Sequence, residues 1–280
     1  MTHIRITIEL ESPWQENLIA ELLELDFVGF EQFDERLVAY IPKSGFNDVN
    51  REYIEELLSA CPGNNFIELE EIQEQNWNET WEKTVKPQEI GPFLVRPTWS
   101  DRQPAPGQLL LEIDPKMSFG TGYHATTRLM LRTLPALDVK GKTVLDAGTG
   151  TGILAIASIK LGAASAFAFD IDKWSETNAR ENILINQVGE KVEVRLGSIK
   201  TLSKNRKFDL ALANINRNEI LKMFKPLSQH LNRGGDLCLS GLLKGDREGV
   251  LQFNNRLQDP MKLVAEQTLD EWLWLRFNKV

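Results

Sequence analysis

Cysteine and histidine are scarce in this chain of 280 residues, with two of the first and three of the second. Cys61 and Cys238 stand far apart and form no C-x-x-C pair, which excludes a disulfide framework and a zinc ribbon and fits a reducing compartment. His3, His124 and His230 fall at no helical or zinc-like spacing from one another, so chemistry without a metal is expected. Long hydrophobic runs are also missing. The first ten residues alternate apolar and polar, and no stretch approaches the length of a membrane span, so the chain reads as soluble and cytoplasmic. Basic residues are sparse at the front: through residue 85 there are five (Arg5, Arg36, Lys43, Arg51, Lys83) against nineteen acidic ones, a formal charge of −14. The remainder carries 27 basic and 21 acidic residues, +6. An acidic front repels nucleic-acid phosphates and attracts basic proteins, so a basic protein partner is expected and direct nucleic-acid binding is not. A solvated, Glu-rich surface is the competing account.

What is present is ordered in two patterns. Ile4, Ile6, Ile8 and Leu10 keep the period of a half-buried strand. Ser12, Pro13 and Gln15 then read as a capping box opening a helix with Trp14, Leu18, Leu22 and Leu25 on one face. Strands over 27–33 and 37–41, a helix opened by Asn47 and stopped at Pro62-Gly63, and a strand over 66–72 complete a β-α-β-β-α-β order. That order predicts a small α+β ferredoxin-like domain over residues 1–76. Residues 77–108 hold Trp77, Trp81, Trp99 and five prolines, with one strand-like stretch at 93–96. This segment reads as a linker whose tryptophans pack against a neighbouring domain. Over 109–280, and most clearly from Thr143, strands alternate with helices, which predicts a doubly wound parallel α/β sheet. The chain closes differently, with strand-like segments over 263–269 and 272–277 split by Asp270-Glu271, a terminal antiparallel strand pair.

The strongest local signal is the run from Val144 to Gly152, V-L-D-A-G-T-G-T-G, a strand leading through glycines into a helix. Glycine lets backbone approach a ligand, and a helix N-terminus offers N–H groups to it. Asp170, at the end of the next strand, is placed to accept both hydroxyls of a ribose. A nucleotide-like cofactor is expected. The NAD fingerprint asks for a third glycine at position 153, where the chain has Ile; its glycine is Gly152. Asp172 reads as a helix cap or a solvated carboxylate. Upstream, F-G-T-G-Y-H-A-T-T over 119–127 precedes a helix that Thr126 or Thr127 could cap. At the fourth strand end, Asn214-Ile215-Asn216-Arg217 puts amides where such sheets bind substrates, with an Asx turn as the plainer account.

Taken together these segments resemble, over essentially the whole chain, the ribosomal protein L11 methyltransferase family (PrmA). The F-G-T-G run joined to G-x-G-x-G-I-L-A-I-A at 148–157 carries most of the resemblance, with Asp170-Ile171-Asp172, Ala213-Asn214-Ile215 and Leu239-Ser240-Gly241 beside it. It implies a class I methyltransferase (Rossmann-like) fold and S-adenosyl-L-methionine held by Thr127, Gly148, Gly150, Asp170 and Asn214. On mechanistic grounds Asn214 is also expected as the catalytic residue, its side-chain carbonyl accepting the amine's hydrogens, with His124 and Thr121 as weaker candidates for lining the cleft. The implied reaction is methylation of lysine side-chain and/or N-terminal amino groups of the large-subunit ribosomal protein, gripped by the acidic domain of a monomeric enzyme. Tyr123, Ala125 and Asn216-Arg217 depart from the family pattern at the border of the cleft. The rival readings are a nucleic-acid or small-molecule methyltransferase and a non-enzymatic docking protein with a relic core. A nucleic-acid enzyme would usually follow this Asn with Pro-Pro and an aromatic for a flipped base, which Ile215-Asn216 does not supply.

Overall fold

The computed structural model describes residues 2–23, 25–59, 67–73, 85–116, 118–203 and 205–280. It divides into two compact units, Met1–Trp77 and Asn78–Val280.

In the first unit, strand β1 (Thr2–Glu9), helix α1 (Ser12–Leu23), β2 (Gly29–Phe33), β3 (Arg36–Pro42), α2 (Asp48–Ser59) and β4 (Ile67–Gln73) follow the expected order. The sheet runs β2-β3-β1-β4 with every neighbouring pair antiparallel. Period-two alternation puts Ile4, Ile6 and Ile8 opposite Ile41, Ala39 and Leu37, and α1 and α2 cover that face with Leu18, Leu22, Ile54 and Leu58. The Ser12 side chain of the expected capping box lies outside what is described, and the Gln15 side chain has another use. Its buried Nε2 donates to the carbonyls of Leu10 and Phe33, both at 2.7 Å, two strand-end acceptors that burial would otherwise leave unpaired. Pro62-Gly63, Phe66, Trp77 and Trp81 lie outside the described residues.

The second unit takes in much of the segment expected to be a linker. β5 (Gln88–Ile90), β6 (Phe93–Arg96) and β7 (Leu109–Glu112) form a small sheet. Ile90, Phe93, Val95 and Leu111 are buried in the same core as the large sheet, each such side chain contributing about 1.5–3 kcal/mol by leaving water. Proline spacing suggested a connection, but buried apolar side chains decide the matter here. Trp99 stays about half exposed, at 47%, instead of packing.

The large sheet comprises β8 (Thr143–Ala147), β9 (Ser165–Asp170), β10 (Val192–Leu196), β11 (Phe208–Asn214), β12 (Leu231–Leu243), β13 (Lys262–Leu269) and β14 (Trp272–Asn278), in the order β10-β9-β8-β11-β12-β14-β13. The first five are parallel, and β14 lies antiparallel between β12 and β13. Helices α3 (Ala125–Thr133), α4 (Ile153–Lys160) and α5 (Lys173–Ile185) share one apolar core with one face, and α6 (Arg217–Gln229) and α7 (Arg247–Asn255) another core with the other. Adjacent strand residues split accordingly: Val144 joins the first core and Leu145 the second. This is the expected doubly wound, Rossmann-like sheet with its terminal antiparallel pair. The chain reverses direction across the sheet between β8 and β11, so a crevice opens at their carboxyl ends.

Candidate active site

The glycine turn between β8 and α4 is built of positive-φ residues: Gly148 at 71°, Gly150 at 54° and Gly152 at 83°. Its N–H groups are not offered outward, contrary to the sequence expectation. Gly148 and Thr149 donate to the Phe169 carbonyl at 2.9 and 3.1 Å, Thr151 to Phe119 at 2.9 Å and Gly152 to Thr149 at 2.9 Å. Gly150 donates to the Asp170 carboxylate at 2.9 Å. The glycines make room for this chain's own loops. A Cβ at Gly148 would stand 2.3 Å from Ile215 Cγ2, and one at Gly150 2.2 Å from the Phe119 carbonyl oxygen.

Two carboxylates flank this turn. Asp170 spends one lone pair of Oδ2 on Gly150 and one of Oδ1 on the Asp172 N–H at 3.1 Å, leaving acceptor capacity on both oxygens for a vicinal diol. Asp146 is fully buried under the turn; Oδ2 accepts from Thr149 Oγ1 at 2.7 Å and from the Ala155 N–H at 3.2 Å, while Oδ1 has no partner among the described residues. Burial, reinforced by the charge of Asp170, pushes its pKa up to about 6 against those two hydrogen bonds. A pyrophosphate would meet spent donors and negative charge here, whereas a cationic ligand meets a complementary field.

The 119–127 segment closes over the turn. Thr151 Oγ1 donates to the Gly120 carbonyl at 2.7 Å, in addition to the Thr151 N–H bond to Phe119. The α3 N-cap is His124, whose Nδ1 accepts from the Thr126 N–H at 3.4 Å; neither threonine is the cap. Fixed there, the imidazole packs edge-on between Phe119 and Trp272, centroids 5.2 and 4.6 Å away. Asn214, at the end of β11, donates from Nδ2 to Thr127 Oγ1 at 3.3 Å, and its buried Oδ1 has no partner among the described residues. Asn216 caps α6 by accepting the Glu219 N–H at 3.0 Å, so of the two amides one is an ordinary cap and the other belongs to the cleft. Asp172 likewise caps α5 through Ser175. A cavity of about 810 Å³ lies over the crevice, bounded by Gly148, Gly150, Asp170, Ile171, Asn214 and Phe119 among others.

The family model for the ribosomal protein L11 methyltransferase (PrmA) matches residues 7–280. The chain belongs to the PrmA family. It is 42% identical over 284 residues to a ribosomal protein L11 methyltransferase of Porphyromonas gingivalis, covering 99% of this chain and 95% of that one. The enzyme of the same name from Chlorobaculum parvum is 37% identical over 277 residues, covering 97% and 94%. Among solved structures, a ribosomal protein L11 methylase from Lactobacillus delbrueckii subsp. bulgaricus superposes with a TM-score of 0.64 at 31% identity, covering 70% of this chain and 99% of that one.

Of the residues that the PrmA resemblance pointed to, Gly148, Gly150, Asp170 and Asn214 come together on the one cavity, as does His124. Thr127 is buried behind Asn214 and bounds no part of the cavity, and neither does Thr121. Tyr123, a departure from the family pattern, turns its hydroxyl to the Lys86 carbonyl at 2.5 Å instead of the cleft. Sequence reasoning gave no role to Trp272, Ser198, Ile199 or Asp146. Ser198 and Ile199 follow β10 at the carboxyl edge and were accessible to the switch-point rule. Trp272 reaches the cavity only through the insertion of β14, which local pattern does not reveal. Among the described residues, no group of His, Cys, Asp or Glu is arranged to hold a metal, and no helix is long and apolar enough to cross a membrane.

Proposed function

We propose that this chain moves methyl groups from S-adenosylmethionine to lysine side-chain and/or N-terminal amino groups of ribosomal protein L11. The observation that carries the reading is the glycine turn with its own N–H groups spent and a carboxylate on either side. Such a turn suits a nucleoside that bears a sulfonium and an ammonium and no phosphate. The donor set fits: Asp170 would accept the ribose hydroxyls, Ile171 and Ile199 offer apolar surface for a base, and Gly148 and Gly150 lie along the same cavity. When bound, S-adenosylmethionine supplies an already activated methyl group.

The chain's own task is then to present a neutral amine in line, an effect of orientation. A free lysine amine has a pKa near ~10.4, so its nucleophilic form is scarce at neutral pH. Phe119, His124 and Trp272 form an aromatic wall against which the substrate amine would lose water, and desolvation favours the uncharged amine. Asn214 Oδ1 accepts an amine hydrogen and aims the lone pair, and Thr127 fixes the amide by occupying Nδ2. After transfer, the aromatic faces accommodate the methylated cation. The acidic first unit recruits the basic substrate. Incubating the purified protein with methyl-labelled S-adenosylmethionine and an unmethylated ribosomal extract should label one small basic protein, read by mass. Label confined to RNA or to small metabolites rejects the reading.

A further inference from the structure

Three asparagines, Asn178, Asn182 and Asn186, recur every fourth residue along α5 and its C-cap, and all three are buried. Four helical residues advance about 6 Å and two strand residues about 6.6 Å, so side chains at this spacing can meet alternate residues of an extended chain. They do so at Glu112 and Asp114. Asn186 accepts the Glu112 N–H at 3.1 Å and donates to its carbonyl at 2.7 Å. Asn182 accepts the Asp114 N–H at 2.9 Å and donates to its carbonyl at 3.2 Å, with Asn178 donating there too at 3.0 Å. The amides thus stand in for a neighbouring strand beside β7.

Asn182 alone reaches further. Its Nδ2 also donates to the Thr151 carbonyl at 3.0 Å, inside the glycine turn. Thr151 in turn holds Phe119 through its N–H and Gly120 through Oγ1. One amide therefore ties together the exit of β7, the glycine turn and, through Thr151, the backbone of Gly120 and of Phe119, which borders the cavity.

We propose that Asn182 is a positioning residue for methyl transfer, setting the Phe119–His124 segment against the cofactor turn, an inference that rests on the methyltransferase reading. Asn186 makes comparable buried hydrogen bonds without touching the turn, and so separates positioning from general cohesion. In the full-length protein, Asn182→Ala should weaken S-adenosylhomocysteine binding about tenfold by calorimetry and lower kcat by tenfold or more. Asn186→Ala should depress Tm to a similar degree and change both quantities less than threefold. If Asn182→Ala does not fold, Asn182→Asp keeps the acceptor for the Asp114 N–H, loses both donors and should give the same kinetic loss. Thr151→Ala cuts the Gly120 link in the same closed circuit, so combining it with Asn182→Ala should cost clearly less than the product of the two single losses. Equal effects of the Asn182 and Asn186 variants, or fully multiplicative losses in the double variant, overturn the inference while leaving the methyltransferase reading intact. Absence of S-adenosylhomocysteine binding by the unaltered protein overturns both.

Discussion

Asn214 has an amide with its two ends differently engaged: Nδ2 is held by Thr127 and Oδ1 is buried without a partner among the described residues. An acceptor left open inside a cleft costs free energy unless something arrives to fill it, about 1–3 kcal/mol on general grounds. Asn214→Ala removes the proposed amine acceptor and should lower kcat roughly a hundredfold, the scale of a misplaced nucleophile. KM for the protein substrate should change little, and steady-state kinetics that show an unaltered kcat would remove Asn214 from the chemistry. Asp146 makes a second residue-level prediction, through pH. Its carboxyl is pushed up to about 6 from an ordinary 3.8 by burial. A group whose pKa rises on folding contributes stability that is full below the unfolded value and lost as pH climbs through the folded one. The penalty of the ionised form above pH 6 amounts to about 3 kcal/mol. Asp146→Asn does not titrate, so the stability of the variant relative to the parent should improve by about 2 kcal/mol between pH 4 and pH 8. Denaturant titrations at the two pH values measure it, and a difference independent of pH would show that Asp146 is not burdened by its charge.

At the scale of elements, two glycines with positive φ behave differently because of what surrounds them. Gly150 has φ of 54° and a backbone carbonyl 2.2 Å from where a Cβ would stand, whereas Gly107, at 85°, has nothing within 4 Å among the described residues. Gly107→Ala should cost only the left-handed strain of about 1–2 kcal/mol. Gly150→Ala should cost more than that, because the Phe119 backbone must also move, and should abolish S-adenosylhomocysteine binding. Paired thermal melts and calorimetry decide it; similar melting shifts for the two variants would mean that the turn yields easily. The same elements show how far the sequence could be read. Strands β8 to β11 and the final pair were legible because each alternates between two buried faces or follows a clear break. β5 and β7 were not, since β5 is three residues long and both border the proline-rich stretch that resembles a connection. β12 runs on to residues 231–243, through Gly234-Gly235, where glycine normally marks an end. In the site, Asp170 and Asn214 were legible from strand ends, while Trp272 and the asparagine ladder depend on tertiary register that no local period encodes.

At the scale of the whole molecule the charge division is the feature with a functional consequence. In the first unit the described basic residues are locally satisfied: Arg5 pairs with Glu70, Lys43 with Glu71 and Arg51 with Glu55, and Arg36 lies over the Phe33 ring. The surplus carboxylates therefore set the sign of the surface. If they recruit a basic protein through its field, the attraction must weaken as the Debye length shrinks from about 10 Å near 0.1 M salt toward about 3 Å near 1 M. KM for the ribosomal substrate should thus rise several-fold between about 50 and about 500 mM salt, with kcat held nearly constant. Cofactor affinity should move far less, because Asp146 and the turn are buried and poorly screened. A substrate KM that stays level or falls with salt would mean that apolar contact, not charge, makes the capture, since burial of apolar surface is not weakened by ionic strength. Measuring both constants across one salt series separates the two, and replacing exposed Glu52 and Glu68 by Gln should flatten the slope without altering kcat.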